Sequence, residues 1–142
     1  MTVAEKLDAK YAIGSAIGVA DGMSKVGINE RPVALFGDSA FFHTGLPAIC
    51  NAVHNRSDIL MVILDNKSTA STGFQSNPGV ASDAKGREAP ALSIERIARA
   101  CGVERVYSVD SNDQNTEMYE VFRDTLSTHE LALVIVRTNS AN

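Results

Sequence analysis

Asp38 and Asn66 stand 28 positions apart, and each closes a short apolar run: Val33 to Phe36 leads into Gly37-Asp38, and Ile59 to Leu64 leads into Asp65-Asn66. A carboxylate on the lip of a buried strand is costly unless a cation offsets it. One carboxylate, one amide oxygen and nearby backbone carbonyls make a hard oxygen set. Magnesium suits such a set, because it takes few protein ligands and fills its other positions with phosphate and water. Gly37, Ser39 and Ala40 are small enough to let phosphate oxygens reach backbone N–H groups. A helix starting after Asp38 would turn its positive end toward the same place. The chemistry indicated is a magnesium–diphosphate site. Gly-Asp-Ser alone is most often a turn; a strand-like run before each member gives the pair its weight.

The elements that must position these residues follow from the apolar period. Residues 13–26 read as helix, with Ile13, Ile17, Ala20 and Met23 on one side, and Val33 to Phe36 as a buried strand. Thr44 to Asn55 reads as helix, capped by Thr44, with Pro47 in its first turn and Leu46, Ile49, Cys50 and Val53 on its apolar face. Ile59 to Leu64 is apolar throughout, as for a parallel strand covered on both faces. A helix follows from Ser93 to a glycine stop at Gly102, with Ile94, Ile97, Ala98 and Cys101 on one face. Val103 to Val109 reads as strand, about 114–128 as helix, and Leu131 to Val136 as strand. Alternating strands and helices predict an α/β, doubly wound, mostly parallel sheet with helices on both faces. Such sheets bind ligands beyond the carboxyl ends of their strands. One helix joins the strands before Asp38 and Asn66, so their carboxyl ends should lie side by side.

Two features depart from that plan. Glycines 14, 18 and 22 form a stripe inside a predicted helix, each costing about 1 kcal/mol relative to alanine. Either a cofactor or second chain approaches closely there, or the helix packs tightly on its own sheet. Periodicity also vanishes from Asp65 to Leu92. A loop of that length inside a compact domain is usually functional or disordered. Its opening, DNKSTASTG, has a composition suited to a cation and an anion.

The 142 residues are 44% hydrophobic and 21% charged, with net charge −4, which fits one globular domain over residues 1–142. No basic stripe points to nucleic acid or to an anionic membrane, and no apolar run approaches a membrane span. The mixed-charge start MTVAEKLD is no secretory signal. Cys50 and Cys101 read as two buried, reduced thiols, and a cytoplasmic location follows by default. With no Cys-x-x-Cys, the chain should hold no iron–sulfur cluster of its own.

Gly37-Asp38-Ser39, then twenty-five residues, then Asp65-Asn66 resembles the thiamine-diphosphate motif, usually written GDG…NN. Ser39 and Asp65 depart from its commonest letters. The longer stretches GSAIGVADGMSKVG, GDSAFFHTGLPAICNAVHN and ILDNKSTASTGFQSNPG resemble the thiamine-diphosphate domain of the indolepyruvate ferredoxin oxidoreductase alpha subunit, over most of residues 12–110. The resemblance implies Mg²⁺ held by Asp38, the Asn66 side chain and the Ser68 carbonyl. It implies diphosphate contacts from Gly37, Ser39, Ala40 and the Thr69-Ala70 backbone. His43 would orient substrate or act as acid–base; the plainer alternative is a helix-start histidine touching the cofactor or a carbonyl. The implied reaction is oxidative decarboxylation of a 2-oxoacid of the arylpyruvate kind, with electrons passing to iron–sulfur clusters and the acyl group to coenzyme A.

Such enzymes need a pyrimidine-binding domain with its glutamate, and that domain is not in this sequence. Neither is the family's cluster-binding segment. The diphosphate domain itself is expected to lack its first strand–helix unit. Partner chains, an iron–sulfur subunit among them, or the rest of a longer protein would supply these parts in a hetero-oligomer. Two other readings stay open: a subunit of a non-oxidative, thiamine-diphosphate-dependent 2-oxoacid decarboxylase of the sulfopyruvate type, and a non-catalytic module of the same fold.

Overall fold

The structure, a computed structural model, describes residues 7–112 and 116–138. Helix α1 (Ala16–Lys25) leads to β1 (Val33–Gly37), then to a run of helical backbone composed of α2 (Asp38–Ala40), a π segment (Phe41–Gly45) and α3 (Leu46–His54). Next come β2 (Leu60–Asp65), α4 (Ile94–Ala100), β3 (Arg105–Asp110), α5 (Thr116–Ser127) and β4 (Ala132–Arg137). The strands form one parallel sheet in the order β1-β2-β4-β3. This is the expected doubly wound α/β architecture. The path from β3 back to β4 reverses direction across the sheet. A right-handed crossover then puts α5 on the face opposite α1, α3 and α4.

Two cores result. One packs Ile17, Phe41, Ile49 and Ile94 on the sheet residues Met61, Ile63, Leu133 and Ile135. The other packs Met118, Val121 and Phe122 of α5 on Leu60, Val62, Val134 and Val136. Burying a side chain of this size is worth about 1.5–3 kcal/mol. The central strands, apolar on both faces, therefore carry much of the stability. Arg31 braces the opposite end of the sheet from the motif, donating to the carbonyls of Thr125, Ile59 and Glu130.

Several expectations need correction. Thr44 caps nothing: the chain is helical from Asp38 onward, and the Thr44 hydroxyl donates to the Ala40 carbonyl at 3.0 Å. Gly14 precedes α1 with φ +86°, where a Cβ would collide with the Thr44 hydroxyl. The glycine stripe inside the helix is thus Gly18 and Gly22 only. Both face open space, which excludes tight packing on the sheet. Ile13 is 74% exposed and belongs to no buried face, and Leu64 is 41% exposed, so β2 is not covered along its whole length. Cys50 is exposed and Cys101 half-buried, both as free thiols. The expected stop at Gly102 is present, with φ +96° and its N–H on the Arg99 carbonyl, as is the Ser93 cap, whose side chain accepts from Arg96 N–H. The sequence start at residues 1–6 and the expected helix start at 114 lie outside the described residues. Among the described residues no helix is long and apolar enough to cross a membrane.

Candidate functional site

The parallel register sets Gly37 beside Leu64, so the chain leaves β1 at Asp38 and β2 at Asp65 side by side. The two loop tips then touch: Thr69 Oγ1 donates to Ser39 Oγ at 3.1 Å. Asp38 is 1% exposed. Its Oδ1 accepts from Ser39 N–H at 2.8 Å and its Oδ2 from the Asn77 amide at 2.9 Å. Burial pushes the Asp38 carboxyl above the ordinary carboxylate range, and neighbouring Asp65 adds to the rise. The Asn77 side chain and the Ser39 and Ser68 backbone N–H groups pull in the other direction without cancelling it. These donors are neutral, so none offsets a charge on Asp38.

On the β2 side, Asn66 Oδ1 accepts from Ser68 N–H at 3.0 Å. Ser68 Oγ is buried and has no hydrogen-bond partner among the described residues. Asp65, where the motif usually has Asn, is buried and accepts from the Lys67 ammonium at 2.8 Å and the Lys67 N–H at 3.3 Å. That pairing accommodates the unusual letter. Lys67 has φ +57°, a backbone state costing a non-glycine residue about 1–2 kcal/mol. Such strain clusters at functional loops. Thr69 N–H donates to the Gln75 carbonyl at 2.9 Å, and Ala70 opens a 3₁₀ turn over Ala70–Thr72. Gly37 ends β1 with open space where a Cβ would be, and Ala40 is buried in the turn after it. His43 is exposed, in the π segment of the helix that starts at Asp38. π segments recur at functional sites.

The structure therefore brings Asp38, Ser39, Asp65, Asn66, Ser68 and Thr69 to one place at the carboxyl ends of β1 and β2. A cleft of about 220 Å³ opens next to them at the ends of β2 and β4, lined by Asp65, Lys67, Leu92, Ser93 and Arg137 among others. Asp38 and Asn66 do not line it. Among the described residues no group of three or more His, Cys, Asp or Glu could hold a metal. An ion at Asp38 would have to draw on amide, carbonyl and ligand oxygens, which is how Mg²⁺ binds beside phosphates. The donor set and the orphaned Ser68 hydroxyl fit that group. Sequence reasoning missed Asn77 and the Asp65–Lys67 pair. Asn77 lies 39 residues from Asp38 in an aperiodic stretch, where no spacing rule signals a contact.

Residues 9–136 match the family model described as the thiamine pyrophosphate enzyme C-terminal TPP-binding domain. The chain is 46% identical over 130 residues to the indolepyruvate oxidoreductase subunit IorA of Methanothermobacter marburgensis, covering 92% of this chain and 21% of that protein. It is 40% identical over 144 residues to the subunit of that name from Pyrococcus abyssi, covering 92% and 22%. It thus spans about a fifth of the length of the curated relatives it matches. Among solved structures, a 2-oxoglutarate:ferredoxin oxidoreductase from Magnetococcus marinus superposes with TM-score 0.79 at 17% identity, over 88% of this chain and 45% of that one. That likeness is one of fold.

Proposed function

The chain belongs to the thiamine pyrophosphate enzymes, as their C-terminal TPP-binding domain, and on that premise we propose that it is the magnesium–diphosphate-holding part of a 2-oxoacid:ferredoxin oxidoreductase acting on an arylpyruvate such as indolepyruvate. Asp38, the Asn66 side chain and the Ser68 carbonyl would take Mg²⁺. Gly37, Ser39, Ala40 and the Thr69-Ala70 backbone would meet the diphosphate. When bound, thiamine diphosphate supplies the carbanion stabilisation that lets a 2-oxoacid lose CO₂. The chain's own task is placement: a buried carboxylate and preset backbone donors spend no reorganisation when the cofactor arrives. His43, exposed in the π segment, would orient the 2-oxoacid or move a proton.

The observation that carries this reading is the contact between the two loop tips, Ser39 to Thr69, at the ends of adjacent parallel strands. The relatives' name supports the substrate class. A pyrimidine-binding domain and iron–sulfur clusters would come from the remainder of a longer protein or from partner chains, with coenzyme A as acyl acceptor, in a cytoplasmic hetero-oligomer. The open faces of Gly18 and Gly22 on α1 suit close approach of such a partner. Native mass spectrometry of the full-length protein purified from its own cells tests this. The expected result is a complex carrying thiamine diphosphate, Mg²⁺ and iron–sulfur clusters. A complex with the cofactor and a pyrimidine domain but no clusters would indicate a non-oxidative decarboxylase instead. A complex with no cofactor would indicate a non-catalytic module.

A further inference from the structure

Asn77 sits in the aperiodic segment and is 4% exposed. Its Nδ2 donates to Asp38 Oδ2 at 2.9 Å, while its own Oδ1 accepts from Gly79 N–H at 2.8 Å. Its backbone carbonyl accepts from Val80 N–H at 3.1 Å. With the amide oxygen committed to Gly79, the NH₂ group must be the one that faces Asp38. Gly79 in turn lies against the π segment: a Cβ there would come within 2.9 Å of Phe42 Cε2. Asn77 is therefore held by its own loop while it holds the carboxylate of a strand end far away in sequence.

We infer that Asn77 is the positioning residue of the ion site: it fixes the rotation of the Asp38 carboxylate and turns Oδ2 toward its own loop, so that Asp38 offers an ion one oxygen, Oδ1, whose second lone pair is left beside the Ser39 N–H bond, and the site selects Mg²⁺ over Ca²⁺. This rests on the magnesium–diphosphate reading above. Mg²⁺ is small and demands near-ideal octahedral geometry, which a rotationally fixed one-oxygen ligand serves. Ca²⁺ is larger, takes six to eight oxygens in flexible arrangements, and accepts two from one carboxylate. A carboxylate released from Asn77 can rotate and present both oxygens. Groups that orient a metal ligand typically account for about 10–100-fold in affinity.

Asn77→Ser is the discriminating variant. A serine hydroxyl still accepts from the N–H two residues on, as Asn77 does from Gly79, but is too short to reach Asp38. The loop anchor is kept and the contact with the ligand is lost. Mg²⁺ and Ca²⁺ are each titrated calorimetrically into the full-length protein with its partner chains at saturating thiamine diphosphate. The metal-free melting temperature is measured alongside. The expected result is Mg²⁺ affinity lowered about 10–100-fold and Ca²⁺ affinity lowered clearly less, with a metal-free melting temperature that drops because a buried Asp38 oxygen loses its donor but stays above the titration temperature. If both metals weaken by one factor, or neither changes, Asn77 only anchors its loop and the inference is overturned. Should Asn77→Ser fail to fold, Asn77→Asp keeps an acceptor for Gly79 and adds carboxylate oxygens. The preference for Mg²⁺ over Ca²⁺ must then narrow, and an unchanged preference overturns the inference. Asp38→Asn in the same titration separates the two levels. If Mg²⁺-dependent cofactor binding survives Asp38→Asn, the magnesium reading itself fails; if it is lost while Asn77→Ser is silent, only the role of Asn77 fails.

Discussion

Replacing Asp38 by Asn should do two opposite things, and their combination is diagnostic. Asp38 accepts two hydrogen bonds, from Ser39 at 2.8 Å and Asn77 at 2.9 Å. An asparagine has one oxygen and one NH₂, so one of those buried donors goes unpaired, at about 1–3 kcal/mol. Against this, the substitution removes a buried charge that the fold resists, since burial holds the Asp38 carboxyl above its ordinary value of 3.8. The sign follows from proton linkage. A folded-state value above the unfolded one means the folded state holds the proton more tightly. That contribution is fully present below the unfolded value and is lost as pH rises through the raised one. Relative to Asp38→Asn, the metal-free parent protein should therefore lose stability as pH rises from about 4 toward 7. Scanning calorimetry across that window reads the trend. Cofactor binding should move the other way. A unit-charge pair about 4 Å apart in a site of intermediate dielectric is worth about 4 kcal/mol. For a divalent ion in contact that is a floor, so Mg²⁺ affinity at saturating thiamine diphosphate should fall about a thousandfold or more. Calorimetric affinity within about tenfold of the parent would refute the assignment of Asp38 to the ion, and a parent protein that gains stability relative to Asp38→Asn as pH rises would refute the cost of its buried charge.

His43→Ala should lower turnover of a 2-oxoacid by about 10²–10⁴-fold, the range for loss of a proton-transfer group, with cofactor affinity unchanged; a full-rate variant would leave His43 with no part in the reaction. Gly18→Phe should weaken complex assembly in size-exclusion chromatography without lowering the chain's own melting temperature, because a Cβ at Gly18 meets nothing within 4 Å. A lowered melting temperature with intact assembly would count against a partner on α1.

Strands were legible where the apolar run was continuous. Met61, Ile63, Leu133 and Ile135 are buried in the core that covers one face of the sheet, and Val62 and Val134 in the core on the other, so no alternation was needed to find them. The loop-tip pair was legible because register in a parallel sheet converts a sequence spacing into a spatial one. The start of the helix after β1 was not. Thr44 and Pro47 look like a beginning, yet the helical backbone runs through them from Asp38, changing from π to α after Gly45. Pro47 then falls in the first turn of α3, where its missing N–H costs little. Cys50 followed the helical period onto the expected face but lies at its margin, exposed. The segment after Asn66 was beyond reach because its order comes from irregular contacts: an antiparallel bridge between Thr69 and Gln75, another between Ser82 and Glu88, and the Asn77–Asp38 bond.

The two loop tips as a shared ion cradle are tested most directly by a crystal structure of the full-length protein grown with thiamine diphosphate and Mn²⁺ in place of Mg²⁺. The expected result is an anomalous peak roughly 2 Å from both an Asp38 carboxylate oxygen and the Asn66 side-chain oxygen, with the diphosphate on its far side. A peak away from both residues, or a diphosphate seated in the cleft between β2 and β4 with Asp38 still bound only to Asn77 and Ser39, would contradict it.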